Sequence, residues 1–232
     1  MPESIPSKLN IGCGYDKRAG YLNVDMDPAC KPDLLITDND FSSLPHQHFD
    51  EVLAHDVLEH IRRAETGAAL LEWVDLLQVG GSLVLQTSSI LGVAKLLEQH
   101  QDYINQANFT IYLFGNQAHP GDFHYTGFTE ATLKIHLIAA GLKIEEFELR
   151  DRWLFFVRCR KEHDWTRLLA DTSSNAEFVK LAYREALYRE PEEIFLNLLV
   201  GQIETGRSRR DVLRQLYSSE ERRMRISQQR GM

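Results

Sequence analysis

Lys8-Leu9-Asn10-Ile11-Gly12-Cys13-Gly14, followed by Tyr21-Leu22-Asn23-Val24-Asp25, decides how this chain is read. The first run reads as a strand that ends in a glycine turn. The second reads as a strand that ends in an acid, reached by a short crossover. In open α/β sheets, ligands bind beyond the carboxyl ends of the strands, at the point where strand order reverses. Glycines at that point let the backbone approach a ligand with no Cβ in the way. An acid closing the second strand can accept hydrogen bonds from both hydroxyls of a ribose. The arrangement points to a nucleoside-containing cofactor.

Spacing narrows the choice. A dinucleotide fingerprint needs G-x-G-x-x-G opening a helix, with the acid roughly 20 residues on. Here Lys17 stands where the third glycine belongs, and Asp25 follows Gly12 by 13 residues. No full helix fits between them, so the helix N-terminus that would hold a pyrophosphate is weak or missing. A glycine pair alone would also serve as a structural turn in a βαβ unit. The next residues extend the pattern. Asp33-Leu34-Leu35-Ile36-Thr37-Asp38 reads as a third strand ending in an acid, and Phe49–His55 as a fourth. Leu44-Pro45 turns the chain between them, and Asp56-Val57-Leu58-Glu59-His60-Ile61 leads into a helix. Gly80-Gly81 precedes a fifth strand, Ser82–Thr87.

This series resembles the class I S-adenosylmethionine-dependent methyltransferases, and among them the compact bacterial branch with a G-C-G turn and N-V-D at the second strand. The resemblance spans roughly residues 8–160. It implies a Rossmann-like, mostly parallel sheet with a final antiparallel strand, S-adenosyl-L-methionine as cofactor, and a methyltransferase activity. It assigns the cofactor to Gly12, Cys13, Gly14, Asp25, Met26, Asp38, Asn39 and His55. Asp25 would meet the ribose, the Gly12–Gly14 turn the amino-acid part, and Asp38 the adenine edge. Cys13 reads as a small packing residue of the turn rather than a nucleophile.

Periodicity supplies the helices. Apolar residues at steps of three and four mark an amphipathic helix over 61–78. A second is expected over 89–106. Thr129 can cap a third that runs to Ala140 and stops at Gly141. Leu142–Leu149 and Trp153–Arg160 then form two strands whose short turn makes them antiparallel. Residues 107–128 read as a long loop with aromatics, His119 and His124, unusual in a compact domain. We read it as a substrate lid, with His124 and His119 as candidate general bases. His119, Asp122 and His124 also have metal-triad character, but no second cluster supports a metal, and none is expected.

After residue 162 a helical module begins. Asn175 is expected to cap its first helix, Pro191 to open the second, and Ser208 to cap the third. Its sequence resembles a small helical domain of unknown function often attached to bacterial glycan enzymes. The pattern departs from it at Tyr188 and at Glu192-Glu193-Ile194-Phe195. The division is therefore 1–162 and 163–232. Three helices in so short a span make a marginal core alone. The module is expected to dock on the first domain and cover the sheet surface that the family's N-terminal helices would cover, since residues 1–7 are too few for them. A second copy or a glycan-synthesis partner is the expected companion of these helices.

Charge and composition exclude several classes. Residues 1–164 hold 14 basic and 24 acidic side chains, and residues 165–232 hold 12 and 10. A first domain at −10 lacks the basic face that nucleic acids require. No apolar run is long enough to span a membrane, no signal sequence opens the chain, and Cys13, Cys30 and Cys159 have no paired spacing. A reducing, cytoplasmic setting is expected. The acceptor is a small molecule or a glycan, with a sugar hydroxyl favoured by the attached module. Two rival classes are a non-catalytic cofactor-binding scaffold and a nucleotide-sugar or NAD enzyme on a similar sheet, the latter opposed by the 13-residue Gly-to-Asp spacing and the missing third glycine.

Overall fold

The computed structural model describes residues 5–37, 39–170 and 174–231. Seven strands form one sheet: β1 (Lys8–Ile11), β2 (Leu22–Asp25), β3 (Leu34–Leu35), β4 (Phe49–His55), β5 (Leu77–Ser88), β6 (Leu142–Arg150) and β7 (Leu154–Lys161). Their order is β3-β2-β1-β4-β5-β7-β6. β7 runs antiparallel to both of its neighbours and the remaining pairs are parallel. The fold is α/β and Rossmann-like, with helices following at the C-terminal end. Strand order reverses at β1, which lies between β2 and β4.

The two faces of this sheet differ. Leu9, Ile11, Val52, Ala54, Leu83 and Leu85 point to one side, as alternation requires, and all are buried in the main core. Helices α1 (Thr66–Leu76) and α4 (Glu130–Ala139) cover that side. Among the described residues, the apolar cluster of the opposite side is Leu53, Val84 and Phe156, with Tyr21 against them. Among the described residues no helical side chain joins this second cluster. Long polar side chains cover it instead. Glu51 accepts from Tyr21 and pairs with Arg158 at 3.2 Å, while the Arg150 guanidinium lies 3.4 Å from the centre of the Phe156 ring. Their aliphatic stems shield the apolar patch while the charges stay wet.

Several boundaries differ from the sequence expectations, each for a local reason. The helix expected over 61–78 spans only Thr66–Leu76, because Ile61 is extended and Leu77 already pairs with Phe49. The helix expected over 89–106 is two, α2 (Ile90–Gln99) and α3 (Tyr103–Phe114). Asp102 divides them by accepting from the Asn105 amide at 3.0 Å, a capping bond that outcompetes helix continuation. The long loop therefore shrinks, since residues 107–114 belong to α3. Thr129 caps α4 as expected, and Gly141 takes the positive φ after it.

The tail has four helices rather than three: α5 (Asn175–Leu187), α6 (Glu193–Glu204), α7 (Arg209–Tyr217) and α8 (Glu220–Arg230). Ser174, not Asn175, caps α5, and Pro191 precedes the α6 cap instead of opening the helix. The tail does not lie on the open sheet face. It packs behind α1 and α4, α7 on the first and α8 on the second, because its anchoring arginines find their partners there. Arg222 is buried and donates to the Ala139 carbonyl at 2.7 Å and the Ala186 carbonyl at 2.6 Å, joining the ends of α4 and α5. A cation at two helix C-termini also complements both dipoles. Arg210 pairs with Asp75, which is 1% exposed, and Arg214 pairs with Glu72. Arg210 and Arg214 thus bind the tail to α1. No helix among the described residues is long and apolar enough to cross a membrane.

Candidate active site

The crossover between β1 and β2 needs no helix because two buried asparagines hold it. Asn10 donates to the Asp16 carbonyl at 3.0 Å and to Asn23 Oδ1 at 3.1 Å. Asn23 Oδ1 also accepts the Arg18 amide, and its Nδ2 donates to Asp33 at 2.8 Å. Buried amides satisfied in this way fix a loop as firmly as a ladder would.

The turn itself depends on glycine at position 12. Gly12 has φ +60°, and a Cβ there would stand 2.5 Å from Val57 Cγ2. Gly14 also has positive φ, but a Cβ there would meet nothing within 4 Å. One glycine thus seals the turn against the loop after β4, and the other faces open space. Cys13 is buried between them, and burial, aided by the nearby Asp25 charge, pushes its thiol up to about 11. It stays neutral near pH 7 and is no nucleophile. Asp25 closes the arrangement. One carboxylate oxygen accepts the Gly14 amide at 2.7 Å and the other accepts the Asp27 amide at 2.8 Å.

A cleft of about 1190 Å³ opens at this end of the sheet. Gly12, Gly14, Asp25, Met26, Asn39 and His119 line it. Three other residues expected at the site are not part of this lining. Cys13 is buried in the turn, His55 ends β4, and His124 turns back onto α3. Asp38 lies outside the described residues. Asn39 has positive φ and accepts from the Trp73 indole at 3.1 Å, so α1 sets its position.

The histidines sort by their partners. His119 is committed to its own loop: Nε2 meets Asp122 at 3.0 Å and Nδ1 accepts the Gly121 amide at 3.2 Å. His124 Nδ1 lies 3.2 Å from the Tyr112 carbonyl and His60 Nδ1 3.1 Å from that of Phe123. A carbonyl only accepts, so both rings carry hydrogen on Nδ1 and leave the Nε2 lone pair as the base. Their rings meet edge to face at 4.7 Å. Burial is the largest cause holding both below the usual histidine range. His60, in the run that leads into a helix, lines the cleft, and His124 does not. Both share the same Nδ1–carbonyl arrangement, and only their place relative to the folded cleft distinguishes them, so no local signal marked His60. Among the described residues no three metal-ligating side chains gather into a site.

Glu59 lies beneath this pair. It is 1% exposed and accepts from Thr87 at 2.8 Å, and its backbone carbonyl accepts the Tyr125 and Thr126 amides. Burial, reinforced by the Asp56 charge, pushes its carboxyl up to about 8 from an ordinary 4.5. The folded chain therefore holds a proton that the unfolded chain releases, and stability falls as pH rises through that window. His55 and His136 act with the opposite sign: burial lowers both from 6.5 to about 4, so stability is lost as pH falls below 6.5. Above pH 6.5 only Glu59 of these three still acts. We expect the melting temperature to decline from about pH 6.5 to 8 and Glu59→Gln to flatten that decline. The same slope in the variant would show Glu59 to be ionised throughout.

Comparison with known proteins agrees with this fold. A S-adenosylmethionine-dependent methyltransferase from Methanosarcina mazei aligns with a TM-score of 0.50 at 16% identity, over 68% of this chain and 92% of that one. A Pyrococcus horikoshii protein aligns with a TM-score of 0.50 at 11% identity, over 69% and 84%. A S-adenosylmethionine-dependent methyltransferase from Mesorhizobium loti reaches 0.47 at 18% identity, over 69% and 93%. At such identities the two alignments at 0.50 show the fold alone, shared over about two thirds of this chain. Residues 162–226 match a family described as a domain of unknown function, DUF4214. By sequence, no curated protein matches the chain.

Proposed function

We propose that the chain is a S-adenosylmethionine-dependent methyltransferase. One observation carries the reading: the Asp25 carboxylate, braced by two backbone amides, stands beside the open side of Gly14 in a cleft at the strand-order reversal. Each oxygen keeps a further lone pair for a ribose hydroxyl. A dinucleotide fits poorly, because the crossover held by Asn10 and Asn23 offers no helix N-terminus to a pyrophosphate. The bound cofactor would supply an electrophilic methyl group. Met26 and Asn39 would border its nucleoside, and Cys13 and His55 would support the site from behind. Calorimetry with S-adenosylmethionine, S-adenosylhomocysteine and NAD tests the reading. Affinity for the first two alone supports it, and NAD binding in their place overturns it.

His60 is the favoured general base, with the Nε2 lone pair directed by the Phe123 carbonyl, and His124 the supporting ring. A hydroxyl acceptor would lose its proton there as it attacks the methyl carbon. Tyr15 and Tyr125 line the same cleft with exposed rings, surfaces on which a sugar ring can stack. A sugar hydroxyl of a glycan is therefore the proposed acceptor, and the DUF4214 match gives it a setting. We expect His60→Ala to lower turnover with extracted cell-envelope glycan by about 10²-fold or more, since positioned bases contribute 10²–10⁴. His124→Ala should lower it less, and cofactor affinity should survive both changes. Wild-type turnover should rise with pH through one ionisation below 6.5. Turnover retained in His60→Ala sinks the base assignment.

The remaining readings belong to the same proposal. The chain divides at 162/163 into a transferase and a helical accessory domain. The disulfide-free cysteines suit a cytoplasmic setting. The exposed α6 face, with Ile194, Phe195 and Leu198, is where a second copy or a glycan-synthesis partner would dock.

A further inference from the structure

A second cavity, of about 520 Å³, lies where the tail meets the first domain. Its walls are α1, the loop 39–46 and α7. Arg210 and Arg214 come from the tail, and Glu65, Ala68 and Glu72 from the region of α1. Asn39, Phe41, Ile61 and Glu65 are shared with the cofactor cleft, so the two spaces are neighbours. We propose that this cavity binds an uncharged saccharide unit. The inference rests on the cavity's own lining and stands apart from the methyl-transfer reading.

Charge excludes the obvious alternative. Two arginines suggest an anion, but Arg210 is already neutralised by Asp75 and Arg214 by Glu72. Asp40 and Glu65 add further negative charge to the lining. A phosphate entering here would meet more carboxylates than guanidiniums. What remains is a wall that offers donors and acceptors side by side. Arg214 Nε is buried and has no hydrogen-bond partner among the described residues. Left so, a buried N–H weakens the fold, and a ligand oxygen that accepts from it relieves that cost. His46 commits Nδ1 to Asp75 at 2.9 Å, which leaves Nε2 for another partner. A group that accepts from a guanidinium and donates to a carboxylate at the same point is a hydroxyl. Between these polar groups, Phe41, Ile61 and Ala68 form an apolar strip. Hydroxyls around a ring that also has a C–H face suit this wall. The volume falls within the range of about 300–1,000 Å³ usual for small-ligand sites.

The site also gives the tail a task. Without α7 the cavity loses its two guanidiniums and one of its walls. The tail would thus bind no saccharide alone, but would complete a site on the first domain.

Saturation-transfer NMR on the full chain tests the proposal, with maltose, cellobiose and N-acetylglucosamine as probes beside inorganic phosphate and spermidine. Each is offered at about 10 mM, where a Kd of about 1 mM still registers. We expect transfer to the protons of at least one sugar. Ala68→Trp, which fills the cavity, should abolish it. Asp40→Ala, on an exposed loop, should weaken it at least about threefold, the loss of roughly one modest hydrogen bond, and carries the test if Ala68→Trp does not fold. Asp25→Ala should leave sugar binding intact, which keeps a failure of the cofactor reading distinct. Silence from all three sugars, transfer that survives both cavity variants, or binding of phosphate or spermidine instead overturns the proposal.

Discussion

A chain truncated after Asp164 is expected to lose cooperative unfolding and to aggregate. The core does not stop at the boundary between the two parts. Trp165, Phe178, Val179, Ala182 and Leu213 belong to the same buried cluster as Trp73, Leu133 and Leu137. Removing the tail returns the outer faces of α1 and α4 to water. It also strands polar groups. Asp75 loses Arg210 and keeps only His46, Glu72 loses Arg214, and the Ala139 carbonyl loses Arg222. Removing one partner of a buried ion pair costs about 3–5 kcal/mol, against a total stability of about 5–15 kcal/mol for an ordinary domain. The apolar loss adds to this. Differential scanning calorimetry with size-exclusion chromatography reads the outcome. A truncated chain that stays monomeric and melts within a few degrees of the full chain would show the tail to be an independent module.

What the sequence disclosed depended on how local each cause is. The Gly12 turn, β2 ending at Asp25, β4 at Phe49–His55 and the Thr129 cap were all legible, because each follows from a few adjacent residues. The α2–α3 break was not. Asp102 caps a helix, Tyr103–Phe114, that carries no charge and includes many aromatic and β-branched side chains, so residues 103–106 read as the end of the preceding helix and 107–114 as loop. α8 failed in the opposite sense. Its sequence, Glu220–Arg230, is almost wholly polar, and its place is set by the buried Arg222 and Ile226. The site shows the same limit. Composition marked the histidines of the 119–124 loop, but His60 and His124 both give Nδ1 to a carbonyl, and only the folded cleft, which His60 lines, separates them. The partner of Arg210 was not legible either, since Asp75 lies 135 residues earlier in the chain.

Asp25→Ala is expected to weaken S-adenosylmethionine and S-adenosylhomocysteine by at least about tenfold, since hydrogen bonds to a charged group are worth about 1.5–3 kcal/mol. The carboxylate has two duties here, and the test must separate them. It braces the turn, accepting the Gly14 and Asp27 amides through different oxygens, and it offers its remaining lone pairs to the ribose. Alanine removes both. Asp25→Asn keeps one carbonyl oxygen as an acceptor for one amide but confronts the other with an NH₂ group, and it loses the charge. If the ribose contact dominates, both variants lose affinity while their melting temperatures stay near that of the parent, because the asparagine network around Asn10 and Asn23 still holds the crossover. If bracing dominates, melting temperature and affinity fall together. Isothermal titration calorimetry beside thermal melts distinguishes the cases. Unchanged cofactor affinity in Asp25→Ala would remove the ribose contact altogether, and with it the observation on which the methyltransferase reading rests.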